Sequence, residues 1–199
     1  MTGRLSLWIN AILKAKETYA AEKTNANWRD ALINLSVIPI IAGLLLGIAV
    51  AFLGTFLSMI PGLEALKTLG VLAIIVLPIV FVIAAWIGSI IGAAILNFIA
   101  KLLGGQGNFL QLFYIISLYT PLLSVITLVL NVIPVVGGLI GLILDLYFMT
   151  LAIKEVHQLT TGKAVLTWLV LVIIAIIVAF VFAAAMLAAL FGAGMVNPQ

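Results

Sequence analysis

From Arg4 to Lys23 the apolar residues Leu5, Trp8, Ile9, Ile12 and Tyr19 recur at three- and four-residue steps, with Ser6, Asn10, Lys14, Glu17 and Thr18 opposite them. That spacing predicts one amphipathic helix. A basic helix led by a tryptophan suits the membrane interface, the alternative being a helix packed on the cytoplasmic ends of a bundle. The run Leu5–Leu13 is interrupted by Ser6 and Asn10, and no small-residue cleavage site follows, so it does not read as a signal peptide. Thr24-Asn25-Ala26-Asn27 breaks the helix, and Asn27 with Asp30 three residues on forms a capping pattern for the next.

Beyond the arm the one-sided pattern gives way to long apolar runs. A membrane span needs about 20 such residues. Ala31–Met59 is the first, between Trp28-Arg29 and Pro61-Gly62, and Gly70–Leu103 the second. At helical rise the second would reach about 51 Å, beyond a hydrocarbon core of about 30 Å, so it is expected to tilt, kink at Pro78 or project from the bilayer. Phe109–Leu130, Val135–Ile153 and Val165–Phe191 complete five spans, with Asn131 to Pro134 too short for anything but a tight hairpin. The expected fold class is all-α, a polytopic membrane bundle of five transmembrane helices preceded by an amphipathic interfacial helix. Residues 1–27 form the arm and 28–199 the five-span domain.

Composition supports the membrane reading. Of 199 residues 66% are hydrophobic and 8% charged, with mean hydropathy +1.42. Soluble domains carry about 25% charged residues, so this chain lacks the material for a water-facing surface. Of the nine Lys and Arg, all but Lys67 fall on the side of the arm if five spans are threaded. The positive-inside bias then places the N-terminus in the cytoplasm and the C-terminus outside, with Trp28 and Trp168 at the inner interface. The expected location is integral to a membrane, the cell membrane for a prokaryotic chain. The absence of cysteine removes disulfides, thiolate metal sites and cysteine nucleophiles. Gly43 and Gly47, Gly88 and Gly92, and Gly137 and Gly141 each stand four apart, a spacing that lets helix backbones approach, within one chain or between copies.

Candidate chemistry is sparse. His157, the one histidine, lies beside Glu155 without an evident nucleophile and reads as structural or interfacial. Thr161-Gly162-Lys163 lacks the glycine and strand of a phosphate loop, and Gly104–Gly107 is a hairpin turn rather than a dinucleotide fingerprint. No catalytic, cofactor-binding or metal constellation is expected, and no nucleic acid partner. Asp145 stands apart. It lies nine residues before Lys154, about 13 Å up the helix, where a charged acid costs at least about 2.5 kcal/mol and marks a pathway or a buried partner. It is expected to be protonated, or hydrogen-bonded to Tyr119, Thr120 or Asn97. Its bland role is a polar clasp between helices; its sharper one is proton or ion transport, although no internal repeat of the kind transporters carry is visible.

The order of several short motifs resembles the Yip1-domain family of five-span membrane proteins. These are Leu103-Gly104-Gly105-Gln106-Gly107-Asn108-Phe109, Ser117-Leu118-Tyr119-Thr120-Pro121, Ile133-Pro134 with Gly137-Gly138, and Leu151-Ala152-Ile153 with His157. Thr160-Thr161-Gly162-Lys163-Ala164 then leads into the last span. The arm, Lys14-Ala15-Lys16-Glu17-Thr18-Tyr19 followed by Asp30-Ala31, is similar to the family's prokaryotic branch, without the proline that branch usually carries near Ala15. The resemblance spans roughly Ile12 to Ala189. It implies a cytoplasmic N-terminus, five spans and no enzymatic activity. Eukaryotic members act in vesicle traffic with prenylated Rab-type GTPases; their longer acidic N-terminal region is replaced here by a short basic arm, so a small GTPase partner rests on the resemblance alone.

The expected function is membrane organisation, scaffolding or a trafficking-like role through the cytoplasmic face. The alternative is a small transporter or channel using Asp145. The polar and turn positions singled out are Asp145, Tyr119, Pro121, Gly104, Gly105, Gly107, His157 and Lys163. Expected partners are the lipid bilayer and, through small-residue helix faces, other membrane proteins or further copies of the chain.

Overall fold

The computed structural model describes residues 3–195; the ends of the chain, and with them the expected placement of the C-terminal tail, lie outside the described residues. Seven α-helices follow in order: α1 (Arg4–Leu13), α2 (Ala15–Glu22), α3 (Trp28–Leu57), α4 (Ala65–Leu102), α5 (Phe109–Leu130), α6 (Pro134–His157) and α7 (Thr161–Met195). A single 3-10 turn, Lys23–Asn25, joins α2 to α3. No strand occurs among the described residues, and α3 to α7 are each long and apolar enough to cross a membrane.

Local chemistry sets the helix ends. The Asn27 side chain accepts from the Asp30 N–H at 2.9 Å, as the sequence pattern predicts. Asn108 and Gln111 cap α5 reciprocally, the Gln111 N–H donating to Asn108 Oδ1 at 3.0 Å and the Asn108 N–H to Gln111 Oε1 at 3.1 Å. α6 ends where Gln158 adopts φ 55° and its N–H turns back to the Lys154 carbonyl. The capped starts explain why α3 begins three residues before the expected Ala31. Likewise α6 runs past the expected Ile153 because its stop signal is the left-handed residue, not the charge at Lys154.

The arm departs from a single helix. Lys14, at φ −131° and ψ 45°, leaves the helical region and separates α1 from α2. The Lys14 N–H still bonds the Asn10 carbonyl at 2.8 Å, and the Thr18 hydroxyl reaches the same carbonyl at 3.1 Å. The break turns Ala11, Ala15 and Tyr19 into the bundle, where Ala11 and Tyr19 are wholly buried. Leu5, Ile9 and Leu13, four residues apart, stay exposed along the outer side of α1. The arm thus packs on the bundle with one stripe and leaves a second apolar stripe for the interface.

α3 and α4 form a long antiparallel pair brought close by glycine. A Cβ on Gly43 would stand 2.5 Å from Pro78 Cα, and one on Gly47 would stand 2.7 Å from Ile74 Cα. Gly137 packs against the Leu130 carbonyl and Gly141 against the Thr127 methyl, closing the α5–α6 hairpin. A Cβ on Gly88 or Gly92 would meet nothing within 4 Å among the described residues, so that pair brings no described helix close.

The core lies at the arm end: Ala31, Leu35, Ala93, Leu96, Leu112 to Ile115, Leu118, Ala152, Ile153 and Ala164 are buried there together. Away from it α7 is exposed along its length, from Ile173 to Leu187. The Trp28 ring packs on Phe109 (5.6 Å) and Phe113 (5.3 Å), which puts the starts of α3 and α5 level. α3 has 30 residues and α5 has 22. Measured along the helix axes, the α5–α6 hairpin therefore ends about 12 Å short of the α3–α4 turn.

Candidate functional site

Five of the singled-out residues converge at the arm end. Gly104 takes φ 92°, a left-handed conformation natural to glycine. The Gly105 N–H donates to the Ala100 carbonyl at 2.9 Å and the Gln106 N–H to the His157 carbonyl at 3.0 Å. A Cβ on Gly105 would sit 2.8 Å from both the Ala100 oxygen and His157 Cβ; one on Gly107 would sit 2.5 Å from the Val156 oxygen. Lys163 Nζ donates to the Leu103 carbonyl at 2.8 Å and Lys23 Nζ to the Glu155 carbonyl at 2.8 Å, each serving the open end of a helix. His157 is wholly buried under this turn, neither ring nitrogen having a partner among the described residues. The cluster is a packed joint between α4, α6 and α7, with no nucleophile set against the imidazole.

A second polar set joins the arm to the spans and was not foreseen. Trp8 Nε1 donates to Asn34 Oδ1 at 3.1 Å, Asn34 Nδ2 to Ser117 Oγ at 3.2 Å, and Ser117 Oγ to the Tyr114 carbonyl at 2.7 Å. Arg4 and Asp30 form an exposed ion pair at 2.8 Å. The signal in the sequence is a polar residue within each of two apolar runs, Asn34 and Ser117; which residues they meet is set by the packing. Nearby, Tyr19 packs against Tyr119 at a tilt, 6.1 Å between ring centroids, and Tyr119 stacks on Phe148 at 5.8 Å. Both tyrosine hydroxyls are buried without a partner among the described residues, and burial pushes the Tyr19 phenol above its ordinary pKa. Pro121 is buried within α5, away from the glycine joint.

Asp145 lies elsewhere. It lines an open groove of about 460 Å³ between α5 and α6 together with Thr120, Ser124, Thr127 and Asn131. These four residues, three in α5 and Asn131 at its C-terminal cap, fall at steps of four, three and four, hence on one face. The expected hydrogen bonds from Asp145 to Tyr119, Thr120 or Asn97 are not formed. Tyr119 turns toward Tyr19 and Phe148, the Thr120 hydroxyl donates to the Ile116 carbonyl at 2.7 Å, and the buried Asn97 Oδ1 has no partner. The acid is half-buried and makes no side-chain hydrogen bond among the described residues.

Among the described residues no three His, Asp or Glu side chains gather where they could hold a metal ion. Five apolar helices, joined at one end by a core into which an amphipathic arm is built, define a polytopic integral membrane protein. The chain matches the Yip1 domain over residues 16–194 and belongs to that family. No curated protein and no solved structure matches it.

Proposed function

We propose that this chain is a non-enzymatic membrane-organising protein that shapes the bilayer, or holds membrane partners, through its arm-bearing face. The arm (residues 1–27) and the five-span domain (28–199) act as one unit with that face in the cytoplasm, as the distribution of lysine and arginine favours. The observation that carries the reading is the placement of the arm. Ala11 and Tyr19 are core residues, while Leu5, Ile9 and Leu13 remain exposed beside the spans. A helix held in that position adds cross-section to one leaflet only, which favours curvature toward the other. The turn at residues 101–108 and the loop at 154–163 complete the face. Transport through Asp145 is less favoured, since toward the arm the bundle is closed by Tyr119, Tyr19 and Phe148. A GTPase partner has no support beyond the family.

Reconstitution into large vesicles at rising protein-to-lipid ratio tests the proposal. Vesicle diameter by cryo-electron microscopy is expected to fall as protein density rises. The fall should be smaller for the triple variant Leu5→Ser, Ile9→Ser and Leu13→Ser, whose changes lie on the exposed stripe. A diameter independent of wild-type density would reject bilayer shaping.

A further inference from the structure

The groove between α5 and α6 has a lining whose chemistry points to a ligand. Gly141 stands against Thr127, so Asp145, one turn farther along α6, is level with Leu123 and Ser124 of the antiparallel α5. Two of the hydroxyls have already given their protons to the helix: Thr120 to the Ile116 carbonyl at 2.7 Å and Thr127 to the Leu123 carbonyl at 2.8 Å. Their oxygens therefore remain as acceptors beside the carboxylate. Ser124 and Asn131 make no side-chain hydrogen bond among the described residues and keep donors to offer. No Lys, Arg or His lines the groove, and its walls are Leu123, Leu128, Gly141 and Leu142. Leu128 and Leu142 are exposed, as are Val125, Val129 and Ile143 around them, so the groove opens sideways onto the surface that faces acyl chains.

We propose that this groove binds the head group of a phospholipid bearing a primary ammonium, phosphatidylethanolamine, entering laterally from the bilayer. The ammonium, a cation with three N–H donors, sits among Asp145, Thr120 and Ser124. The phosphate lies about one turn nearer the hairpin end, toward the Asn131 amide. The acyl chains leave over Leu128 and Leu142. A metal ion suits the site less well: it needs about six oxygens closing around it, and this groove is open on one side. A lipid with an anionic head group would meet a carboxylate and no base. Phosphatidylcholine carries the same charge but no N–H, so hydrogen bonding separates the two.

Native mass spectrometry of the full-length protein in detergent tests this, titrating dioleoylphosphatidylethanolamine, dioleoylphosphatidylcholine and soluble O-phosphoethanolamine in turn. The wild type is expected to bind the ethanolamine lipid at least tenfold more tightly than the choline lipid, with O-phosphoethanolamine weaker than either. Asp145→Asn should bring the ethanolamine lipid down to the choline level. Leu128→Trp, an exposed change on the groove wall, should weaken it without altering thermal stability. Equal affinity of the wild type for the two lipids overturns the proposal whether or not either variant folds. O-phosphoethanolamine binding as tightly as the lipid overturns a lipid occupant, and a preference that survives in both variants overturns the groove as its site.

Discussion

Tyr19 brings a phenol into the bundle and finds no partner for its hydroxyl. Leaving a buried hydroxyl unmade costs about 1–3 kcal/mol, so Tyr19→Phe should hold or raise the thermal midpoint in detergent at neutral pH. The same burial sets a pH dependence. Below about pH 10 the phenol is neutral in both the folded and the unfolded chain; above it only the unfolded chain ionises readily, so stability falls as pH rises further. Tyr19→Phe should therefore lose its share of that alkaline destabilisation, and a midpoint-against-pH curve unchanged from wild type would show that the ring is not held as described. Asp145 gives a second test. With no hydrogen bond to lose inside the chain, Asp145→Leu should not be destabilised even by the roughly 0.6 kcal/mol typical of an interhelical bond in a membrane. Proteoliposomes of wild type and Asp145→Asn should both lack proton or cation flux. A flux present in the wild type and absent in the Asn variant would make this a transporter. The acid was legible from sequence as an oddity of depth; the spacing of Thr120, Ser124, Thr127 and Asn131 puts them on one face, but only the packing of α5 against α6 sets that face beside Asp145.

At the scale of elements, glycine decides which helices touch. Gly47→Leu should force α3 from α4, since even a Cβ there stands 2.8 Å from the Ala73 oxygen; overpacking of this kind costs about 1–3 kcal/mol. Gly88→Leu, with nothing within 4 Å, should leave the monomer's midpoint unchanged, and equal loss at both positions would contradict the helix pairing. The arm makes a separate prediction. Its amides from Ala11 to Tyr19 should exchange with deuterium as slowly as those of Phe113 to Leu118, and salt should not change this, because the contacts are buried side chains and not charges at a lipid surface. Rapid, salt-sensitive exchange would mean that the arm rests on lipid alone. The amphipathic pattern was visible in the sequence, yet a helix of one apolar face looks the same whether lipid or protein covers it. Asn34 and Ser117, 83 residues apart, decided the matter by hydrogen-bonding each other beneath Trp8.

For the whole molecule, the prediction is one of sidedness. Cysteines introduced at Gln106 and Gln158 of this cysteine-free chain should be labelled by an impermeant maleimide from the cytoplasm only, and one at Gly62 in the α3–α4 turn from the other side only. Labelling of all three from one side would reject the five-span threading. By itself the sequence determined the membrane class, the number of spans, the tight hairpin, the capped start of α3 and the family resemblance. Each of these depends on runs and spacings within about 20 to 30 residues, where apolar length and capping chemistry act locally. Tertiary structure alone decided that the core gathers at the arm end, that the glycine turn closes over His157, and that Asp145 faces a groove instead of a partner. Those outcomes depend on which helix faces meet, and in a bilayer the solvent does not choose: lipid is as apolar as leucine, so close packing and the pairing of a few polar groups make the selection.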